Sequence, residues 1–238
     1  MPTGTAIQLV AAMRKATALF LLLLVVAVPG RSFASEPFDF ASDVIRSLEA
    51  CKIAGERIKT SQSKDLASEM KDILVFTNEI RQANSRIAPH QNSKNELIRQ
   101  SADNFSAIYS SIVANNEKFM SFLEQTLNDP KEATSKQGTW LRKLSENMAA
   151  NEDLWRMLPP ATVMATYTLV DQRRTENGKL RFLTITKTER DQLRSQFRNT
   201  FDDQVRGGPK AGQLPVDVSA ALLWKFLAEE WKPADTEK

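Results

Sequence analysis

The chain has 238 residues, 42% hydrophobic and 26% charged, with a formal charge of +3, one cysteine and one histidine. That length can bury a real core as a single domain. A lone Cys51 excludes an internal disulfide, and a lone His90 excludes a di-iron site with two Glu-x-x-His pairs, a Cys-x-x-Cys-His haem attachment and a four-ligand zinc site.

The N-terminus reads as a targeting segment. Arg14 and Lys15 precede an apolar run of 13 residues, Ala16–Val28. Pro29-Gly30 breaks the run, and Ser32-Phe33-Ala34 places small residues at −3 and −1 before Ser35. A positive stretch, a short apolar run and a small-x-small end form a secretory signal peptide. The run is too short for a spanning helix of about 20 residues, so no stable membrane anchor is expected after cleavage. Residues 1–34 are therefore read as the leader, with Met13 as its expected true start. Arg14, Lys15 and Arg31 leave with it and no acidic residue does, so 29 basic residues face 29 acidic ones in the processed chain. A neutral chain with interspersed charges lacks the field that nucleic-acid binding requires.

Residues 35–158 read as a helical bundle. Apolar residues at alternating steps of three and four predict helices over 39–59, 63–88, 93–127 and from 131 or 139 to 157. The first carries Ala41, Val44, Leu48, Cys51, Gly55 and Ile58. The second carries Leu66, Met70, Ile73, Thr77, Ile80, Asn84 and Ile87, and Pro89 ends it. The third carries Leu97, Ser101, Phe105, Ile108, Ile112, Asn115, Phe119, Phe122 or Leu123, and Thr126, with Ile98, Tyr109, Val113 and Met120 widening the face, opened by a Ser93/Glu96 capping box. The fourth carries Leu141, Leu144, Met148, Asn151, Trp155 and Leu158. Short connections favour an all-α, elongated antiparallel bundle. The polar stripe residues Thr77, Asn84, Ser101, Asn115 and Asn151 are expected to set helix register; lining a small polar cavity is the competing role.

Residues 159–232 read as a C-terminal helical segment packed on the bundle, with a disordered tail at 233–238. Two readings compete over 162–186. Asn177-Gly178 between β-prone runs predicts a β-hairpin, while Pro159-Pro160 predicts a helix followed by a polar loop. Thr186 and Glu189 form a capping box that opens a helix through Leu193, Phe197, Phe201 and Val205. A Gly-rich connection follows, then a last helix from Val216 to Trp231.

No catalytic, cofactor-binding or metal-binding residue is assigned. His90 follows a proline in a polar linker, where a water-facing side chain is expected. Cys51, on an apolar stripe, is expected to be a buried small hydrophobe. Gly207–Gly212 lacks the spacing of a phosphate-binding loop. Glu152-Asp153, Asp202-Asp203 and Glu229-Glu230 are adjacent in helices, about 100° apart around the axis, so neither member of a pair can assist the other in acid–base catalysis. The Asn104-Phe105-Ser106 sequon falls inside the strongest helix. Arg173, Arg174, Lys179 and Arg181 could hold an anion, and Trp224 and Trp231 share a side of the last helix; a solvated loop and core packing are the plainer roles.

The plan resembles exported bacterial helical bundles, with no motif specific to a family. The leading expectation is a non-enzymatic protein that binds a protein partner, or a second copy of itself, in the bacterial envelope or periplasm, without a cofactor. A small-ligand-binding bundle and a histidine-independent enzyme are the alternatives. An exposed apolar patch would favour the partner, a closed apolar pocket the ligand, and convergent polar groups with perturbed carboxylates the enzyme.

Overall fold

The computed structural model describes residues 35–60, 66–128, 137–170, 181–182, 184–207, 214–229 and 232–233. Ser35–Lys238 form one compact unit. The leader, the start at Met13, the Asn177-Gly178 turn, most of the Gly-rich connection, Trp231 and the tail beyond Pro233 lie outside the described residues.

The described chain is all-α apart from one two-residue bridge. Its helices are α1 (Glu36–Thr60), α2 (Leu66–Ile87), α3 (Glu96–Asn128), α4 (Gln137–Trp155), α5 (Leu158–Tyr167), α6 (Lys187–Thr200), α7 (Asp202–Gly207) and α8 (Pro215–Ala228). A 3-10 turn, Ala88–Asn92, joins α2 to α3. Helix α1 packs on α2, α2 on α3, and α3 on both α4 and α5; α6 and α8 close over α1.

Helix α3 runs 33 residues, about 50 Å at the usual rise. Its buried face is Ile98, Ser101, Ala102, Phe105, Ile108, Tyr109, Ile112, Asn116, Phe119, Leu123 and Thr126. Ile98, expected to widen the face, is the buried residue beside Leu97, and the predicted stripe is displaced by one residue at Asn115, where Asn116 points inward instead. A 3.6-residue turn drifts against a strict seven-residue spacing, so a straight stripe cannot stay centred over nine turns. The expected Ser93/Glu96 box is not the cap. Asn95 takes that role, its Oδ1 accepting from the amides of Leu97 and Ile98 at 3.0 and 3.3 Å. Ser93 Oγ instead accepts from Asn95 N at 3.0 Å and donates to Glu36 Oε1 at 2.6 Å, tying the start of α3 to the start of α1.

The hairpin reading of 162–186 gives way to the helix. Pro159 and Pro160 sit in the first turn of α5, where a missing N–H costs nothing, and the helix runs to Tyr167. Thr162 returns its hydroxyl to Leu158 O at 2.9 Å and Thr168 to Ala165 O at 2.7 Å, which lets β-prone threonines sit buried in a helix and its exit. Arg181–Phe182 form β1, pairing in parallel with Lys232–Pro233 (β2).

The Thr186 cap is present as both halves of the box: Thr186 Oγ1 accepts from Glu189 N at 3.2 Å, and Glu189 Oε2 accepts from Thr186 N at 2.7 Å. The predicted continuous helix to Val205 breaks at Phe201, which is fully buried. Asn199 and Thr200 are weak helix formers, and Asp202 with Asp203 begins α7 as favourable N-terminal acids.

Two apolar clusters result. The larger gathers Phe40, Leu48, Ile80, Phe105, Leu158, Phe197 and Leu223 with their neighbours from α1, α2, α3, α5, α6 and α8. The smaller joins Ile73, Phe119 and Leu123 to Met70, Trp140 and Leu144.

Candidate functional site

Three of the five polar stripe residues, Thr77, Asn115 and Asn151, join a layer lying between those two clusters, whereas Ser101 is fully buried with its hydroxyl unpaired. Thr77 is fully buried and Asn116 is 1% exposed. Asn116 Nδ2 donates to Thr77 Oγ1 at 3.1 Å, and its Oδ1 accepts from Asn151 Nδ2 at 2.8 Å and Asn147 Nδ2 at 3.1 Å. Asn115 Nδ2 closes the set on Asn151 Oδ1 at 3.1 Å, and Thr77 passes its own proton to Ile73 O at 2.7 Å. These bonds run across α2, α3 and α4 and fix their mutual register, since a slip of any one would strand several amides away from water. Asn84 lies outside the layer and donates to Ser110 Oγ at 3.1 Å on a wetter face. Asn116 and Asn147 carry the network, and sequence reasoning passed over both. The one signal for Asn116 is its position one residue beyond the predicted stripe.

His90 contradicts its expected exposure. Its side chain is 13% exposed, Nε2 lies 2.9 Å from Asp43 Oδ2, and Phe40 meets the ring edge-on at 5.1 Å. Pro89 bends the chain so that the 3-10 turn folds back over α1 instead of projecting into water. The neighbouring serines are committed elsewhere, Ser42 Oγ to Gln196 Oε1 at 3.0 Å and Ser93 Oγ to Glu36. Neither of these two hydroxyls is free to serve the Asp–His pair as a nucleophile. Asp39, one turn before Asp43, has its carboxyl raised by partial burial and by the charges of Asp43 and Glu189, against a lowering by His90.

Cys51 is buried, as expected. Burial pushes its thiol up to about 12, a rise that the adjacent Tyr109 hydroxyl and the Arg86 charge offset only in part. Tyr109 is fully buried and rises well above its ordinary 10.0, from burial first and from Cys51 second. Its hydroxyl faces the thiol without reaching hydrogen-bonding geometry. A protonated thiol in such surroundings is neither nucleophile nor metal ligand.

Two of the three carboxylate pairs are engaged by cations, and Glu230 of the third lies outside the described residues. Glu152 and Asp153 both reach Arg156, at 2.6 and 3.8 Å; Asp202 binds Arg206 at 2.9 Å and Asp203 binds Lys52 at 3.2 Å. Trp155 meets Phe76 edge-on at 6.1 Å, and Trp140 packs on the smaller cluster. Arg173, Arg174 and Lys179 lie outside the described residues, and Arg181 is described only as part of β1. Among the described residues, no group of three or more His, Cys, Asp or Glu side chains could hold a metal ion, and no helix is long and apolar enough to cross a membrane.

A groove of about 510 Å³ lies between α7 and α8. Val205, Val218, Ala221, Leu222, Trp224 and Ala228 supply its apolar wall, with Lys225 and Glu229 at the rim. Trp224 is held rigidly: Phe197 stacks on it at 5.4 Å and 18°, and the Arg194 and Arg198 guanidinium groups sit over its ring, each 5.9 Å from the centroid. Gln204, 2% exposed, also lines the groove. Its Nε2 donates to Asp203 Oδ2 at 3.0 Å, but its Oε1 is buried without a donor. A buried acceptor left unpaired costs about 1–3 kcal/mol.

Fold and groove together define a helical bundle with an open apolar cleft on its C-terminal helices. No family model, curated protein or solved structure matches the chain.

Proposed function

We propose that this is an exported, non-enzymatic bundle protein of the bacterial envelope that binds a protein partner in the α7–α8 groove. The occupant in this reading is an amphipathic helix of the partner, apolar on one face and acidic along its edge. The carrying observation is the groove itself: an apolar cleft walled by Trp224, with Lys225 at its rim and Arg194 and Arg198 over the Trp224 ring. Against one acid at the rim, Glu229, stand Lys225 and the Arg194 and Arg198 groups over Trp224, none of the three with a carboxylate within ion-pair distance among the described residues, which favours an acidic edge over a basic one. A groove open to solvent suits a helix laid into it better than a small molecule that must be surrounded.

The test is site-specific photocrosslinking in the native host with a benzophenone side chain at position 222, and at Met148 as a control. A discrete adduct from 222 alone supports the reading if the purified partner then binds the chain and Leu222→Asp abolishes that binding. Equal labelling from 222 and 148, or an adduct only with a second copy of this chain, refutes it.

A further inference from the structure

The first described residue is held in place. Ser35 N donates to Glu189 Oε1 at 2.7 Å, across 154 positions of sequence. The other oxygen of the same carboxylate caps α6 through Thr186 N. Ser35 O accepts from Asp39 N at 3.0 Å, placing Ser35 at the head of α1, and its side-chain hydroxyl is buried there without a partner. Around this nitrogen stand Glu36 and Asp39 on its own helix and Glu189 and Arg190 on α6; Asp43 and His90 lie a turn further along.

That is a heavily acidic setting for one neutral amide. Glu189 accepts this N–H, while Glu36, whose Oε1 takes Ser93 Oγ, and Asp39 lie within a turn of it on α1; Asp39 is raised by burial first, then by Asp43 and by Glu189, against a lowering by His90. A positive charge at the head of a helix is ordinarily unfavourable, because the helix dipole is positive there. Acids at this place would reverse that sign.

We propose that the Glu189 site is built to receive a processed N-terminus, with the Ser35 nitrogen as an α-ammonium. The inference rests on the exported reading and on cleavage after Ala34. A signal peptidase hydrolyses the Ala34–Ser35 peptide bond with one water. Ala34 keeps the water oxygen and leaves as a carboxylate, and the Ser35 nitrogen gains two hydrogens to become –NH3+ at neutral pH. One N–H then becomes three charged donors: one for Glu189 Oε1, and two for the neighbouring carboxylates and water. Cleavage thereby tightens the clasp between α1 and α6, so that the chain becomes most stable only after it has left its leader.

Because Ser35–Lys238 form one compact unit, the chain can be released from a cleavable fusion with Ser35 first, and in a second form with Ala34 still attached. The Ser35-first form is expected to melt about 2–4 °C higher, and its α-amino group to titrate about one pH unit above the ordinary value near 8. Both differences should disappear in Glu189→Gln, which keeps the capping-box geometry and removes the charge. Asp39→Asn should cost more in the Ser35-first form than in the extended one. Equal melting of the two forms with an α-amino group at its ordinary value overturns the site. Intact mass of the protein recovered from its host tests the cleavage separately: a chain beginning at Ser35 supports it, and any other first residue overturns the processing while leaving the fusion result to stand on its own.

Discussion

Replacing Asn116 by Leu tests whether the asparagine layer holds the bundle in register. The side chain is 1% exposed and makes three hydrogen bonds, to Thr77, Asn147 and Asn151. At about 1 kcal/mol net per bond, their loss sums to roughly 3 kcal/mol. The partners are hurt unequally. Thr77 keeps its bond to Ile73 O, and half-buried Asn147 turns to water, but Asn151 is 7% exposed and its amide nitrogen is stranded. Most of that roughly 3 kcal/mol falls on this one orphan, whose own cost is about 1–3 kcal/mol. Leu regains roughly 0.5 kcal/mol as a better helix former, leaving a net loss of about 2–3 kcal/mol. Urea denaturation followed by circular dichroism reads this directly, with a melting point about 5–10 °C lower. The double variant Asn116→Leu/Asn151→Leu removes both ends of the stranded pair, so it should be more stable than the sum of the singles by about 1–2 kcal/mol. A single-site cost below about 0.5 kcal/mol, or strictly additive singles, would refute the argument.

The Cys51 thiol should resist a thiol reagent at pH 8 for as long as the chain stays folded and react at once in guanidinium chloride; rapid labelling of the native protein would contradict its burial. Because the folded thiol is raised, the unfolded chain loses its proton first, so stability should fall as pH climbs from 9.0 toward 12, and Cys51→Ser should remove that part of the alkaline loss in a pH series of melts. Glu189 runs the other way. Partial burial raises its carboxyl, but hydrogen bonds from Thr186 and Ser35 outweigh that and hold it low, so its contribution is full above its ordinary 4.5 and lost as pH falls through the folded value. Glu189→Gln should accordingly flatten the acid limb of the stability profile, and an unchanged acid limb would show the carboxylate to be idle. Leu222→Asp, on a half-exposed groove wall, should leave the melting point within about 2 °C while abolishing partner binding; a large loss of stability would place Leu222 in the core instead of at a docking surface.

The helices were legible because burial imposes a period on the sequence. Val44, Leu48 and Cys51 on α1, and Ile73, Thr77 and Ile80 on α2, stand inward as their spacing requires. The Thr186–Glu189 box was legible because both halves of a cap lie within four residues. Asn95 displaced Ser93 as the cap of α3 because Ser93 had a distant claimant, Glu36, which local sequence cannot reveal. Pairing of His90 with Asp43 was hidden for the same reason, 47 positions separating partners that a fold-back brings to 2.9 Å. Threonine-rich α5 has a strand-like composition, and its hydroxyls are satisfied in a helix by backbone carbonyls that local composition does not reveal. The groove could not be read at all: Val205 and Leu222 are ordinary apolar residues until the break at Phe201 turns α7 against α8.

The amide layer also partitions the molecule's resistance to opening. Beyond it, the tip of α2, α3 and α4 rests on Ile73, Phe119 and Leu123 with a few methionines and rings, whereas the other side has most of the apolar interior. A seam of side-chain amides is a place where water can enter without leaving polar groups bare. The tip can therefore fray while the body stays shut, and amide deuteration should sweep inward from residues near 70, 123 and 144 and halt at Asn116. Such a chain has a firm end that carries the α7–α8 cleft and a yielding end that can bend without disturbing it.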